Sequence, residues 1–376
     1  MPSSAGVVSH WAGPDSLFGM DTRDAVIVGA RCAGSALAIA LAQRDWDVLV
    51  VDRDTFPSET VSTHLIYPNT LARLEQLGVL DSLRAAHEVP LLESRIIGLG
   101  HEIVGRYSAI GGFDRAAAPR RGRWTRQCST LAAGAQGRFG ERVVDLIGMG
   151  TPEDPVAGVL LEGGERIAAK WVLGADGRAS TVAGRLGLRK ERGLSGEVSF
   201  LFGYWRGIPD DGYATLDIRE DAILSRWAVE DGIHLLVVGG SADFTRGSKE
   251  QRRRGYLQAL DGFAKTAGAN LLERAEMTSQ VIVAPESLMR GFFRTPTRPG
   301  WALVGDACHF KHPGTAQGIA DAVEQAIYVA GALSDEDRCL EGYEEWREQR
   351  ASEHMSGRSP GGDSPARRQS LCSGAG

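Results

Sequence analysis

Residues 25–54 open with Ala25-Val-Ile-Val-Gly29-Ala30-Arg31-Cys-Ala33-Gly34-Ser35 and close on Leu49-Val-Val-Asp52-Arg53-Asp54. Ala25 to Val28 is a short apolar run of the kind a buried parallel strand takes. Gly29 to Gly34 interrupts it, Ser35 to Arg44 sets small and apolar residues at helical spacing, and Val48 to Val51 is a second apolar run ending on Asp52. Strand, glycine turn, helix, strand and acid follow in the order of a dinucleotide-binding βαβ unit. Gly29 permits the tight turn and Gly34 lets the helix approach the strand. The helix N-terminus offers N–H groups and a positive dipole end to a pyrophosphate. Asp52 is placed to accept hydrogen bonds from an adenosine ribose. Arg31 stands where the G-x-G-x-x-G motif has its middle glycine. Taken alone, the stretch also reads as an ordinary βα turn.

Composition narrows the field. The 376 residues suffice for two domains. A net charge of −6 leaves no basic footprint for nucleic acid or an anionic membrane. No apolar run reaches the ~20 residues that span a bilayer. The five cysteines are odd in number and form no C-x-x-C pair, which suits a reducing compartment and provides no metal site. Cys32 and Cys308 fall in glycine-rich turns, where they read as tolerated small residues, a reactive thiol being the alternative. Residues 1–20 lack the basic and apolar regions of a signal peptide and read as a disordered extension. Residues 356–376, rich in Gly, Ser, Pro and Arg, read as a disordered tail. The expected location is cytoplasmic.

Further along, Pro68-Asn69-Thr70 opens a helix with Leu71, Leu74 and Leu77 on one face and Gly78 at its end. Leu91 to Gly112 alternates apolar and polar residues, as strands do. Arg142–Ile147, Val159–Leu161 and Arg166–Val172 read as strands, the last two joined by a turn at Gly163-Gly164. Val198–Tyr204, Ala222–Ala228, Ile233–Val238 and Gln280–Val283 read likewise, and Lys249–Ala267 is a polar helix with Tyr256, Leu257 and Leu260 buried. Two more strands end in Gly and an acid: Trp171-Val-Leu-Gly-Ala-Asp176-Gly177 and Trp301-Ala-Leu-Val-Gly305-Asp306. The second runs through Pro313-Gly314-Thr315-Ala-Gln-Gly318 into a helix starting near Thr315 and carrying Ile319, Ala322, Val323 and Ala326. Glu341–Arg350 is a final helix.

The three strand ends in this order resemble the FAD-dependent monooxygenase family with the para-hydroxybenzoate hydroxylase fold, an architecture shared with geranylgeranyl-reductase-like oxidoreductases and flavin halogenases. The resemblance covers residues 21–350. It implies an α/β protein with a Rossmann-like FAD-binding domain (a βαβ GxGxxG variant) and a second, mixed β-sheet substrate domain. The FAD-binding domain would take residues 21–90, 120–190 and 296–350, and the substrate domain 91–119 and 191–295. FAD would be held by Gly29, Ala30, Arg31, Ala33, Gly34, Asp52, Arg53, Arg121, Asp176, Gly177, Gly305, Asp306, Pro313, Gly314, Thr315 and Gly318. Asp306 would face the ribityl hydroxyls, and N–H groups near Gly314 the flavin pyrimidine edge. His64, in a loop that the resemblance brings near the isoalloxazine, would orient flavin or substrate; a plain exposed loop histidine is the alternative.

One stretch departs from the family. Arg121 begins an Arg-x-x-Leu-Asp pattern whose arginine reaches the flavin, but Arg123-Trp-Thr-Arg-Gln-Cys follows with no amphipathic face. Five lysines against 37 arginines suggest a GC-rich gene. Read one base earlier with G/C-ending codons, Trp124 to Thr130 becomes Leu-Asp-Ala-Ala-Val-Leu-Asp. Residues 122–139 therefore read either as translated out of frame or as a divergent loop.

The resemblance implies an NAD(P)H-dependent monooxygenase that hydroxylates an apolar or aromatic small molecule with O2 through a C4a-hydroperoxyflavin. No second glycine motif is present, so NAD(P)H would bind transiently as reductant. The chain would be a monomer or homodimer, without nucleic acid, metal or membrane span. A geranylgeranyl-reductase-like reduction of carbon–carbon double bonds is one alternative. A flavin-binding or inactive protein, with its FAD-contacting helix disrupted, is another. A halogenase would show W-x-W-x-I-P, of which Tyr204-Trp-Arg-Gly-Ile208-Pro209 keeps only Ile-Pro. Trp205, Trp227, Phe200, Phe202 and Tyr213 hint at an apolar ligand, although aromatic residues on a sheet are more often core.

Overall fold

The computed structural model describes residues 22–55, 63–86, 89–120, 135–194, 198–266, 272–335 and 339–356. Arg23–Val28 is the centre of the first sheet, parallel to Val48–Asp52 on one side and Arg166–Gly174 on the other. Ala135–Phe139 extends the sheet in parallel beyond Val48–Asp52, and Trp301–Leu303 does so beyond Arg166–Gly174. A strand buried on both faces reads as an unbroken apolar run, and its residues divide between two cores. Ala25 and Ile27 pack with Leu37, Leu41, Val323 and Ala326. Val26 and Val28 pack with Val143, Val159, Val182 and Trp301 on the other face.

The Cys32–Ala42 helix is buried from Cys32 to Leu41 and packs beside the Gly318–Ser334 helix. It starts three residues before the Ser35 expected from its spacing. Gly34 lies inside it, and the Ser35 hydroxyl donates back to the Ala30 carbonyl at 2.5 Å, which tightens the first turn. The strand expected over Gln280–Val283 runs over Ile282–Ala284. Of the segment read as out of frame or divergent, Ala135–Phe139 forms an edge strand parallel to Val48–Asp52; Arg121 and residues 122–134 lie outside the described residues.

The second sheet is mixed. Its order is Glu276–Met277, Ser199–Arg206, Ile233–Gly240, Ile223–Ala228, Tyr213–Ile218, Glu93–Gly98 and His101–Gly105, with Ile282–Ala284 also pairing Ser199–Arg206. Only Tyr213–Ile218 and Glu93–Gly98 run parallel. The Lys249–Thr266 helix covers one face, where Tyr256, Leu260 and Phe263 meet Leu201, Trp205, Leu224 and Leu236. The other face presents Phe202, Trp227, Leu235 and Val237 to Leu65, Leu92 and Met289. A small third sheet joins Glu191–Leu194, Gly291–Phe293 and His309–Phe310. Among the described residues no helix is long and apolar enough to cross a membrane.

The helix–strand approach rests on Gly34, where a Cβ would lie 1.8 Å from the Gly29 carbonyl oxygen. Gly34→Val forces backbone apart, and we expect a loss of about 3 kcal/mol or more in folding stability, read by denaturant melting. A variant melting like the parent contradicts the packing.

Candidate functional site

Three glycine turns meet at the carboxyl ends of the parallel strands. The Gly29 N–H donates to Val51 O at 2.8 Å, the Ala175 N–H to Val28 O at 2.8 Å, and the Val304 N–H to Gly174 O at 2.9 Å. Gly29 has φ +101°, and a Cβ there would stand 2.6 Å from Ala175 O. A Cβ on Gly305 would stand 2.8 Å from the Ala33 Cβ. These segments therefore touch. From Arg23–Val28 the chain passes first to one side of the sheet and later to the other, so the crevice lies at the topological switch point where open α/β sheets bind ligands.

The acids at these ends differ in what they hold. Asp52 is buried; its Oδ2 accepts the Ala30 N–H at 2.6 Å and its Oδ1 the Asp54 N–H at 2.9 Å. It ties the second strand end to the glycine turn. Arg31 turns its guanidinium to Asp54, with Nη2 to Oδ2 at 2.7 Å, so its side chain is drawn to the acidic strand end. Arg53 is exposed beside it. Asp176 accepts the Thr181 N–H through Oδ2 at 2.6 Å. Burial raises its pKa above the ordinary carboxyl value, against the hydrogen bonds it accepts around Ser180 to Val182. The Gly305 N–H donates to Gln325 Oε1 at 2.8 Å, which the Tyr343 hydroxyl also reaches at 3.3 Å. Asp306, half-buried, follows in a short 3-10 turn.

Pro313–Thr315 is a 3-10 turn and the helix begins at Gly318, not near Thr315. Ala316, at φ 51°, adopts the left-handed conformation that ends the turn. Gly314 and Thr315 are exposed, and the Gly314 N–H donates to His312 Nδ1 at 3.2 Å. Burial lowers the His312 pKa and favours the neutral ring as acceptor. A Cβ on Gly314 would lie 3.8 Å from Phe200 Cζ, so this turn faces the second sheet.

His64 is not an exposed loop histidine. It is buried at φ 61°, and its Nε2 lies 2.5 Å from the Tyr204 hydroxyl. Trp227 Nε1–H fixes the preceding residue by donating to Thr63 O at 3.1 Å. Phe200, Phe202 and Tyr204 alternate along one strand and share the sheet face of Leu235 and Val237. Phe200, Tyr204 and Ala316 pack against the core of Leu65, Phe202 and Trp227. His64, the Pro313 turn and this face thus converge, whereas Arg121 lies outside the described residues. Trp205 points away and donates to the Tyr256 hydroxyl at 3.0 Å. Tyr213 is half-buried on the strand beyond Trp227's. Tyr204 and Gln325 escaped sequence reasoning; period-two alternation from Phe200 marks Tyr204, and nothing local marks Gln325. Cys308 is fully buried, 3.2 Å from Arg347 Nη1. Burial pushes its thiol pKa up, so it is inert.

The crevice suits a dinucleotide on two counts. Its glycines let backbone segments meet where side chains would collide. Among the described residues, Asp176 Oδ1 and Gln317 Oε1 are buried and accept no hydrogen bond, so they stand ready for ligand donors.

The chain belongs to the FAD binding domain family, whose profile matches residues 22–357. The FAD-dependent monooxygenase ntnJ of Nectria sp is 26% identical over 342 residues, covering 82% of this chain and 75% of the relative. A menaquinone reductase of Mycobacterium tuberculosis is 25% identical over 325 residues, covering 84% and 78%. In fold, the chain superposes on the myxobacterial chondrochloren halogenase CndH with a TM-score of 0.77 at 19% identity, over 89% of this chain and 81% of that one.

Two outcomes are expected. Asp52→Ala strands two backbone N–H groups, costing ~2–3 kcal/mol of stability by denaturant melting; Asp52→Asn, which keeps one acceptor, costs less. For Asp176 the folded pKa is raised, so protonation favours the folded state. That stability is fully present below the ordinary pKa of 3.8 and is lost as pH rises through the folded value. Asp176→Asn should therefore melt higher than the parent at neutral pH without cofactor, with a flatter pH dependence. An unchanged melting profile refutes the assignment.

Proposed function

We propose that this chain is an NAD(P)H-dependent FAD monooxygenase hydroxylating an apolar or aromatic small molecule, with NAD(P)H bound transiently. The observation that carries the reading is the meeting of Gly29, Asp52, Asp176 and Gly305 at one switch point, opposite an aromatic sheet face. In this reading residues 21–90, 120–190 and 296–350 form the FAD unit, and 91–119 and 191–295 the substrate unit. Membership of the first and second sheets supports the split, while the small third sheet joins Glu191–Leu194 and Gly291–Phe293 of the substrate unit to His309–Phe310 of the FAD unit.

The redox chemistry, with electrons from NAD(P)H and an oxygen atom from O2, is what bound FAD supplies. The chain's own residues bind, orient and keep the site dry. The turn from Gly29, Ala30 and Arg31 through Ala33 and Gly34 presents the Cys32–Ala42 helix N-terminus to the pyrophosphate. Asp52 and its neighbour Arg53 take the adenosine end. Asp176 and Gly177 offer a free carboxylate oxygen in a turn between strand and helix. Gly305 and Asp306 take the ribityl chain, with Pro313, Gly314, Thr315 and Gly318 along the flavin ring. Phe200, Phe202 and Trp227 provide an apolar wall that excludes water. His64 Nε2 and the Tyr204 hydroxyl are hydrogen-bonded, and together they can take a proton from a substrate hydroxyl and return it.

The relative named as a menaquinone reductase favours a second reading, reduction of a carbon–carbon double bond, in which no O2 is consumed. The deciding experiment records the flavin absorbance bands of purified protein, then NAD(P)H oxidation with and without O2 in the presence of aromatic test compounds. Oxygen uptake coupled to product supports hydroxylation. Turnover that persists without O2 supports the reductase, and colourless protein without affinity for FAD overturns both. Within the first reading, Tyr204→Phe should leave melting and FAD affinity near parental, since one hydrogen bond is worth about 1 kcal/mol. It should shift the pH profile of turnover, and an unchanged profile removes the pair from proton handling.

A further inference from the structure

We propose that the outermost strand of the second sheet, His101–Gly105, is a self-pairing edge through which two copies of this chain associate. On its inner side the strand pairs antiparallel with Glu93–Gly98, and among the described strands none lies on its outer side. An edge of this kind presents alternate backbone N–H and C=O groups to any strand that can align with it. Proteins blunt such edges with short strands, charged side chains, lysine above all, proline or bulges, and of these the strand has only its five-residue length and Glu102. His101-Glu-Ile-Val-Gly105 contains neither lysine nor proline, and its register with Glu93–Gly98 runs without a shift.

The surface around the edge is apolar. Ile103 is 67% exposed, Val104 46%, and Leu99 at the hairpin tip 98%. Register continues the patch inward: Ile103 is paired with Ile96, Ile96 with Leu216, and Ile218 with Ile223. Ile96 and Ile218 are themselves more than a third exposed. Monomers seldom display a contiguous apolar patch of this kind without a partner for it.

Charge selects a second copy and its alignment. With two antiparallel strands centred on Val104, Val104 faces its own copy and Glu102 stands directly opposite Arg106, twice by symmetry. Ile103 lies opposite Gly105, diagonal to the copy's Ile103 on the other face. Directly opposed charges of opposite sign and β-branched pairs are favourable cross-strand neighbours. Within one copy, Glu102 pairs with Arg95, and Arg106 with Glu93 and Asp114; Glu102 and Arg106 themselves are solvent-exposed and can each add a partner across the dyad. A five-residue edge buries less than the ~800 Å² per partner of a standard interface, so association is reversible and concentration-dependent.

The test is sedimentation velocity of the full, FAD-loaded chain across a concentration series. The parent should pass from monomer to dimer. Val104→Lys, at an exposed position, should melt like the parent and weaken the dimer about tenfold or more. Glu102→Arg should weaken it likewise, and the double variant Glu102→Arg with Arg106→Glu should restore it. Val104→Cys should cross-link on oxidation, with the oxidised parent as control for its native cysteines. A parent that stays monomeric throughout overturns the proposal. So does a dimer indifferent to Val104→Lys, or a charge swap that fails to rescue. If Ile103→Lys raises KM in a monomeric chain, the patch belongs to an apolar ligand and the proposal falls.

Discussion

Everything in the crevice depends on backbone approaching backbone closer than any side chain permits. Gly34 brings the helix onto the Gly29 carbonyl, Gly29 brings the first strand end onto Ala175, and Gly305 brings the third onto Ala33. The first contact closes the turn between strand and helix, the other two join segments distant in sequence, and each is closed to every residue but glycine. The result is that the Asp52, Asp176 and Asp306 turns share one edge of the sheet. A Cβ in any of these places would separate them, leaving three ordinary βα turns with no common cavity.

The acids carried by those turns are not equivalent. Asp52 is committed to the protein: both its oxygens receive backbone N–H groups, and it holds the glycine turn to the second strand whether or not a ligand is bound. Asp176 keeps one oxygen buried without a hydrogen bond, and its ionised form is disfavoured by burial. Leaving a buried polar atom unpaired costs free energy, so a donor brought to this oxygen would be stabilising.

The sequence made the central strands of the first sheet legible because they are unbroken apolar runs ending at Gly or an acid, a signal local to each strand, whereas the edge strand Ala135–Phe139 carries no such run. It also gave the Cys32–Ala42 helix, displaced by three residues because a glycine inside the first turn hides the true start. The Pro313 turn was harder. Thr315 looks like a helix start after a proline, yet Ala316 takes a left-handed conformation and the helix waits until Gly318. Propensity carries no trace of that reversal, which follows from fitting the turn against Phe200. The burial of His64 was invisible for a related reason: a polar loop reads as exposed until the Trp227 indole and the Tyr204 hydroxyl, from distant strands, close on it.

His64 shows how the two sheets become one site. A non-glycine residue at φ 61° is held there at a cost of order 1 kcal/mol or more, and persists only where its surroundings over-determine it. Here they do. Trp227 holds the Thr63 carbonyl, Leu65 is locked in the apolar core, and Tyr204 meets the imidazole. Tyr204 is itself fixed by the alternation that turns Phe200 and Phe202 toward the crevice while Leu201 and Trp205 pack against the Lys249–Thr266 helix. A one-residue slip of that strand would exchange the two sets, burying Tyr204 under the helix and releasing His64. Register in the second sheet therefore sets the chemistry facing the first, and the strain at His64 is maintained by Trp227, Leu65 and Tyr204 around it.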